Sequence, residues 1–168
     1  KPNIQGAKEA LKDHPEIVKE TVKKNSKVKP LELAVREIDS EKVQLSICSQ
    51  IIKAGADVDE TGRDHDTNLC WAIENERYEL AYKLIESGAD VNKKSSESTP
   101  LRTTIERLSI VNYKEKMKLL NKLLESGAKP DSDILTYYIK EVDNNYGTKY
   151  YFVPKIVEKL SKTANMKN

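Results

Sequence analysis

The tetrapeptide Gly-Ala-Asp-Val at Gly55–Val58 returns at Gly88–Val91, 33 residues later. A looser copy, Gly127-Ala128-Lys129-Pro130, follows 39 residues after the second. Each copy closes an apolar run that ends in a pair: Ile51-Ile52, Leu84-Ile85 and Leu123-Leu124. A motif that recurs at a near-constant period marks a supersecondary unit that cannot bury its apolar face alone, so that neighbouring units must stack. A chain of 168 residues holds four to five such units, enough for a continuous core. Stacks of this kind present extended faces for binding more readily than closed catalytic pockets.

The middle unit is the most regular. Thr67 has the side chain of an N-cap, and Leu69, Ala72 and Ile73 recur at helical spacing, which predicts a first helix. Glu76-Arg77-Tyr78-Glu79 makes the turn. Leu80, Ala81, Leu84 and Ile85 then form the apolar stripe of a second helix, which Gly88 ends in the left-handed conformation. A polar stretch leads to Thr99-Pro100-Leu101, where the cycle restarts with a cap, a proline at the first helical position and a leucine for the core.

These residues carry a resemblance. The Thr-Pro-Leu opening, the small residue at Ala72, and Leu-Ile followed by Glu-Ser-Gly-Ala-Asp-Val-Asn are similar to the ankyrin repeat, most closely over residues 51–130. The resemblance implies an all-α solenoid of about five helix-turn-helix units with β-hairpin fingers between them. It places units at roughly 1–28, 29–60, 61–93, 94–130 and 131–168, the outer two being atypical caps within one domain. In the N-terminal cap His14-Pro15-Glu16-Ile17 resembles the start of a second helix, and Asn25 takes the glycine position. At the far end Ile134, Leu135, Tyr138 and Ile139 suggest a first helix, and Val153, Ile156, Val157 and Leu160 a second.

Spacing departs from regularity in two places. Leu69 to Gly88 spans 19 residues, whereas Leu31 to Gly55 spans 24 and Leu101 to Gly127 spans 26. The extra residues are expected between the two helices of each unit, around 37–42 and 107–116. The outer connections are too short for projecting hairpins, so two full fingers are expected, around 58–66 and 91–98.

Composition narrows the function classes. With 29 basic and 27 acidic residues interleaved along the chain, no polybasic arm offers itself to nucleic acid. Cys48 and Cys70 fit neither a zinc spacing nor a disulfide framework, and weakly favour a reducing, cytoplasmic setting. No apolar run approaches the roughly 18 residues of a membrane span. The chain begins at Lys1 and lacks a signal-peptide pattern, which is compatible with a fragment or a mature product. No metal or cofactor is expected. His14 and His65 have no second histidine at metal spacing, Asp57-Val58-Asp59 lacks a calcium-loop series, and phosphate-cradling motifs are missing. Asp64-His65-Asp66 has the look of a triad fragment, but no nucleophile accompanies it, and a solvated finger is the plainer reading.

Binding residues are implied by the resemblance, since such repeats usually grip a protein with hairpin tips and the exposed face of the first helices. The matching positions are Thr61, Arg63, Asp64, Asp66, Glu74 and Asn75, then Lys94, Glu97, Arg102, Glu106 and Arg107, with Arg36 and Glu37 in the preceding unit. The alternative is that they are ordinary solvated residues. Trp71, the single tryptophan, is either an exposed hot spot or packs against the next unit. Cys70 stands where such units often carry a histidine that braces the turn, so this turn is expected to be looser. Five of the eight tyrosines, Tyr137, Tyr138, Tyr146, Tyr150 and Tyr151, gather near the C-terminus as either an interface or an end cover.

The expected function is a non-enzymatic, monomeric protein-binding module whose main strip is Arg63, Asp64, Asp66, Trp71, Glu74, Asn75, Arg102 and Glu106. The rivals are an inhibitor or immunity-type protein that blocks one enzyme, and a non-catalytic part of a larger enzyme.

Overall fold

A computed structural model describes residues 29–62, 65–96, 98–108 and 111–130, together with 134, 156 and 158–161. The N-terminal cap with Asn25, the tyrosine-rich segment, Arg63, Asp64 and Glu97 lie outside the described residues. The chain is mostly helical, and its described residues contain no strand.

Within residues 29–130 the described helices are, in order, α1 Pro30–Glu37, α2 Glu41–Lys53, α3 Asn68–Glu74, α4 Tyr78–Glu86, α5 Pro100–Glu106 and α6 Tyr113–Glu125. Their starts follow from local chemistry. Proline opens α1 and α5, where its missing N–H and fixed φ cost nothing. Thr67 Oγ1 accepts from the Cys70 N–H at 3.1 Å, and Thr99 Oγ1 from the Arg102 N–H at 3.3 Å. The turn before Cys70 is therefore no looser than its proline-bearing counterpart, contrary to expectation. Threonine supplies the acceptor from its own side chain, so the residue at Cys70 does not have to.

Helices pair as α1·α2, α3·α4 and α5·α6, and the pairs stack through α1·α3·α5 in one layer and α2·α4·α6 in the other. The core is the seam between layers: Leu31 and Val35 of α1, Leu69 and Ile73 of α3, and Leu101 and Ile105 of α5 meet Ile47, Ile51, Leu80, Leu84, Leu119 and Leu123.

The glycines behave as the spacing requires. Gly55, Gly88 and Gly127 have φ of 96°, 91° and 91°. In each unit the glycine N–H and the following alanine N–H return to carbonyls of the last turn, as in Gly88 N to Ile85 O at 3.1 Å and Ala89 N to Leu84 O at 3.0 Å. A Cβ built on these glycines would meet nothing within 4 Å, so positive φ alone demands them. Gly88→Val is expected to destabilise by about 1–2 kcal/mol through the left-handed backbone, read as a lower urea midpoint with an unchanged slope. An unaffected midpoint would show that the helix end simply rearranges.

A polar rung links each unit to the next. The Asp59 carboxylate accepts from the Asp90 N–H at 3.0 and 3.1 Å. Four residues past the next glycine, Asn92 Oδ1 accepts from the Lys129 N–H at 2.8 Å, while its Nδ2 donates to Gly127 O at 3.1 Å. The intervening segments carry only isolated bridges, Thr61 with Thr67 and Ser95 with Ser98. The second closes through paired 2.8 Å hydrogen bonds, and Ser96, next to it, has φ 49°.

The extra residues of the flanking units do not all lie between helices as expected. α2 and α6 have 13 residues each, and α4 has 9. Four of the additional residues thus form one more helical turn, about 6 Å long, at the start of each second helix. Only the α5–α6 connection is also longer, across 107–112. Each added turn carries a buried polar side chain that ties down its partner helix. Gln44 Nε2 donates to Val35 O at 2.6 Å, and Lys116 Nζ to Arg107 O at 2.6 Å. Both residues stand eleven positions before their glycine. A cation at the C-terminal end of α5 is favoured by the helix dipole. Burial nevertheless pulls the Lys116 ammonium below the usual lysine range, against the nearby Glu76 carboxylate.

Candidate protein-binding strip

The outward face of the first helices follows from their period. In α1 the buried positions Leu31, Ala34 and Val35 turn Leu33, Arg36 and Glu37 away from the seam. In α3, Leu69, Ala72 and Ile73 do the same for Trp71, Glu74 and Asn75. In α5, Leu101, Thr104 and Ile105 leave Glu106 and Arg107 exposed. Because α1, α3 and α5 touch in sequence, these side chains stand on neighbouring first helices.

The sequence-expected residues divide by what they do on it. Glu74 is half-buried with its carboxylate 3.8 Å from the Arg107 guanidinium on the next helix, a link that crosses from α3 to α5. Arg102 and Glu106 form an exposed pair within α5 at 2.7 Å. Glu37 and Lys94 are exposed. Asn75 is exposed, but its Nδ2 donates at 2.9 Å to Trp71 O, closing the end of α3. Asp66 is half-buried, and its Oδ1 accepts from the hydroxyls of Ser95 and Ser96 in the segment before α5. Its partner Ser95 also accepts from the Thr67 N–H at 3.3 Å. Asp66 therefore links the segment before α3 to the segment before α5 through hydroxyl groups.

Trp71 is half-buried and packs against the core, between the two alternatives expected for it. Thr61 pairs with Thr67 and takes the Lys29 ammonium on its carbonyl. Arg36 is drawn inward: its Nε lies 3.6 Å from Glu32 Oε1, and its guanidinium rests on Gly62, where any Cβ would collide with it. A Cβ at Gly62 would push that guanidinium, the end of a flexible side chain, aside. Burial also raises the Glu60 carboxyl above its ordinary range, opposed by the Glu32 backbone N–H and by Lys29.

His65 is exposed at φ 60°, in a tight turn where its N–H donates to Gly62 O at 3.1 Å. Among the described residues no group of three or more histidine, cysteine or acidic side chains could hold a metal ion. None of the described helices is long and apolar enough to cross a membrane. Both cysteines are buried, and burial pushes the Cys48 thiol up to about 12.

Sequence reasoning missed two residues. Leu33 is 43% exposed and Val111, in the α5–α6 connection, is 97% exposed. A signal for Leu33 was present: it stands two residues past the first core leucine of its unit, as Trp71 does in the next. Nothing comparable marks Val111. No protein-family model matches the chain, and no curated protein matches it.

Proposed function

We propose that this chain is an ankyrin-type solenoid acting as a non-enzymatic protein-binding module. Its first helices and the two fingers, around 58–66 and 91–98, form the gripping side, and the second helices form the back. What supports this reading is the set of polar side chains turned outward on neighbouring first helices, above all the Glu74–Arg107 link across α3 and α5 and the exposed Arg102–Glu106 pair. Planar arginine donors beside carboxylates suit a protein surface of mixed sign better than a polyanion. The regular caps, left-handed glycines and inter-unit rungs support the solenoid part of the proposal.

Affinity capture followed by mass spectrometry would identify a partner. A joint Glu74→Ala, Arg102→Ala, Glu106→Ala variant is then expected to bind it at least tenfold more weakly, about 1.4 kcal/mol. Its melting curve should hardly move, because exposed ion pairs contribute about 0–1 kcal/mol each. Normal binding by this variant, together with loss of binding on deleting 144–151, would transfer the site to the tyrosine-rich end and favour the enzyme-blocking rival.

A further inference from the structure

Leu33 and Trp71 stand at equivalent positions on adjoining first helices, α1 and α3. A lone exposed leucine on a protein surface is ordinary. Here it is joined in register by the chain's only tryptophan, which keeps part of its ring in solvent. The apolar step ends at the next unit, where the equivalent Thr103 is buried and its hydroxyl lies 2.9 Å from Ser98 Oγ. It is therefore a compact anchor point with a defined edge.

The charges beside it are uneven. One helical turn from Leu33, Glu37 is exposed, and no ion pair to a described residue engages it. Glu74 follows Trp71 by three residues, and among the described residues its ion-pair partner is Arg107 at 3.8 Å. Asp66, in the finger that leads into α3, adds a carboxylate held by hydroxyls. Arg36, the one cation within α1, is turned back onto Glu32 and Gly62. An apolar step fringed by under-compensated carboxylates calls for a partner with the opposite fringe.

Resting on the binding-module reading above, we propose that Leu33 and Trp71 anchor a basic, apolar segment of a protein partner. One aliphatic or aromatic side chain of that segment lies across the two residues. Lysines or arginines within two positions of it meet Glu37, Glu74 and Asp66, and an arginine there can also stack on the Trp71 ring. Tryptophan is favoured at the centres of interfaces, where a few residues carry most of the affinity.

The test selects a displayed library of random, tryptophan-free twelve-residue peptides on the full chain. The enriched peptides should hold an aliphatic or aromatic residue with lysine or arginine within two positions. A synthetic copy should shift Trp71 fluorescence, the only tryptophan signal in the mixture. Leu33→Ser should weaken it at least tenfold, and so should Glu37→Lys combined with Glu74→Lys. A copy with its basic residues changed to glutamate should regain affinity for the charge-reversed variant. If that variant folds poorly, the affinity of the original peptide should still fall steeply between low and high salt.

Peptides that bind the Leu33→Ser and charge-reversed variants as well as they bind the native chain would overturn the proposal. If they instead lose affinity to Arg102→Ala with Glu106→Ala, the anchor is wrong and the gripping side stands. Peptides that ignore every change on the first helices would remove both.

Discussion

Truncating Leu84 to Ala should lower stability by about 2–5 kcal/mol. Leu84 is fully buried on α4, the helix wedged between α2 and α6. Removing its branched end deletes contacts and leaves a cavity that the two longer helices cannot close, because their added turns are already fixed by Gln44 and Lys116. Each pair leans only on its neighbours, so the damage should pass to both sides. Urea unfolding followed by circular dichroism measures it. A loss below about 1 kcal/mol would mean that α4 is not the shared support described here.

A second large effect belongs to alkaline solution. The buried Cys48 thiol titrates at about 12 instead of 9.0, chiefly because burial penalises the thiolate. Its pKa is raised on folding, so between these values the folded chain retains a proton that the unfolded chain has released. The corresponding stability is complete below pH 9 and is lost as pH rises from about 9 to 12. A shift of this size amounts to about 4 kcal/mol. Cys70, Tyr78 and Tyr82 are shifted in the same direction, again first by burial. Urea midpoints measured at pH 8, 9.5 and 11 should therefore fall steeply, and Cys48→Ala should flatten the decline. A midpoint independent of pH in the native chain would contradict the burial of these groups.

What the sequence revealed of the fold was whatever local chemistry decides. Thr67 and Thr99 cap, Pro30 and Pro100 start helices, and Gly55, Gly88 and Gly127 end them, since each outcome depends on a few adjacent atoms. The surplus residues of the flanking units were visible only as a length. Whether they coil or loop out depends on Gln44 and Lys116 reaching carbonyls nine residues back, which no local pattern announces.

The strip was legible to the same degree. Glu74, Arg102, Glu106 and Arg107 were implied by the resemblance, and the structure joins Glu74 to Arg107 across two helices and Arg102 to Glu106 within one. Period could not tell that Asp66 is engaged by Ser95 across 29 residues, that Asn75 turns back on Trp71, or that Arg36 retires onto Gly62. Those outcomes depend on which long-range partner lies within reach. Leu33 was passed over because a leucine inside an apolar segment reads as core until the helix is given a direction.

The two ties that hold the longer helices close inside their own pairs, Gln44 to Val35 and Lys116 to Arg107. Neither involves the short middle pair. A tandem duplication of residues 61–93 would therefore lengthen the molecule while leaving both hydrogen bonds inside their own pairs, with Lys116 facing the second copy of Glu76 in place of the first. The duplicated segment would bring its own threonine cap, left-handed glycine and Asn92 rung to receive the next unit. The links that the following unit makes to Asp66, Thr67, Glu74 and Glu76 would be remade with the second copies of those residues. The molecule thus has a natural growth point at its centre, where length can change while both ends keep their form.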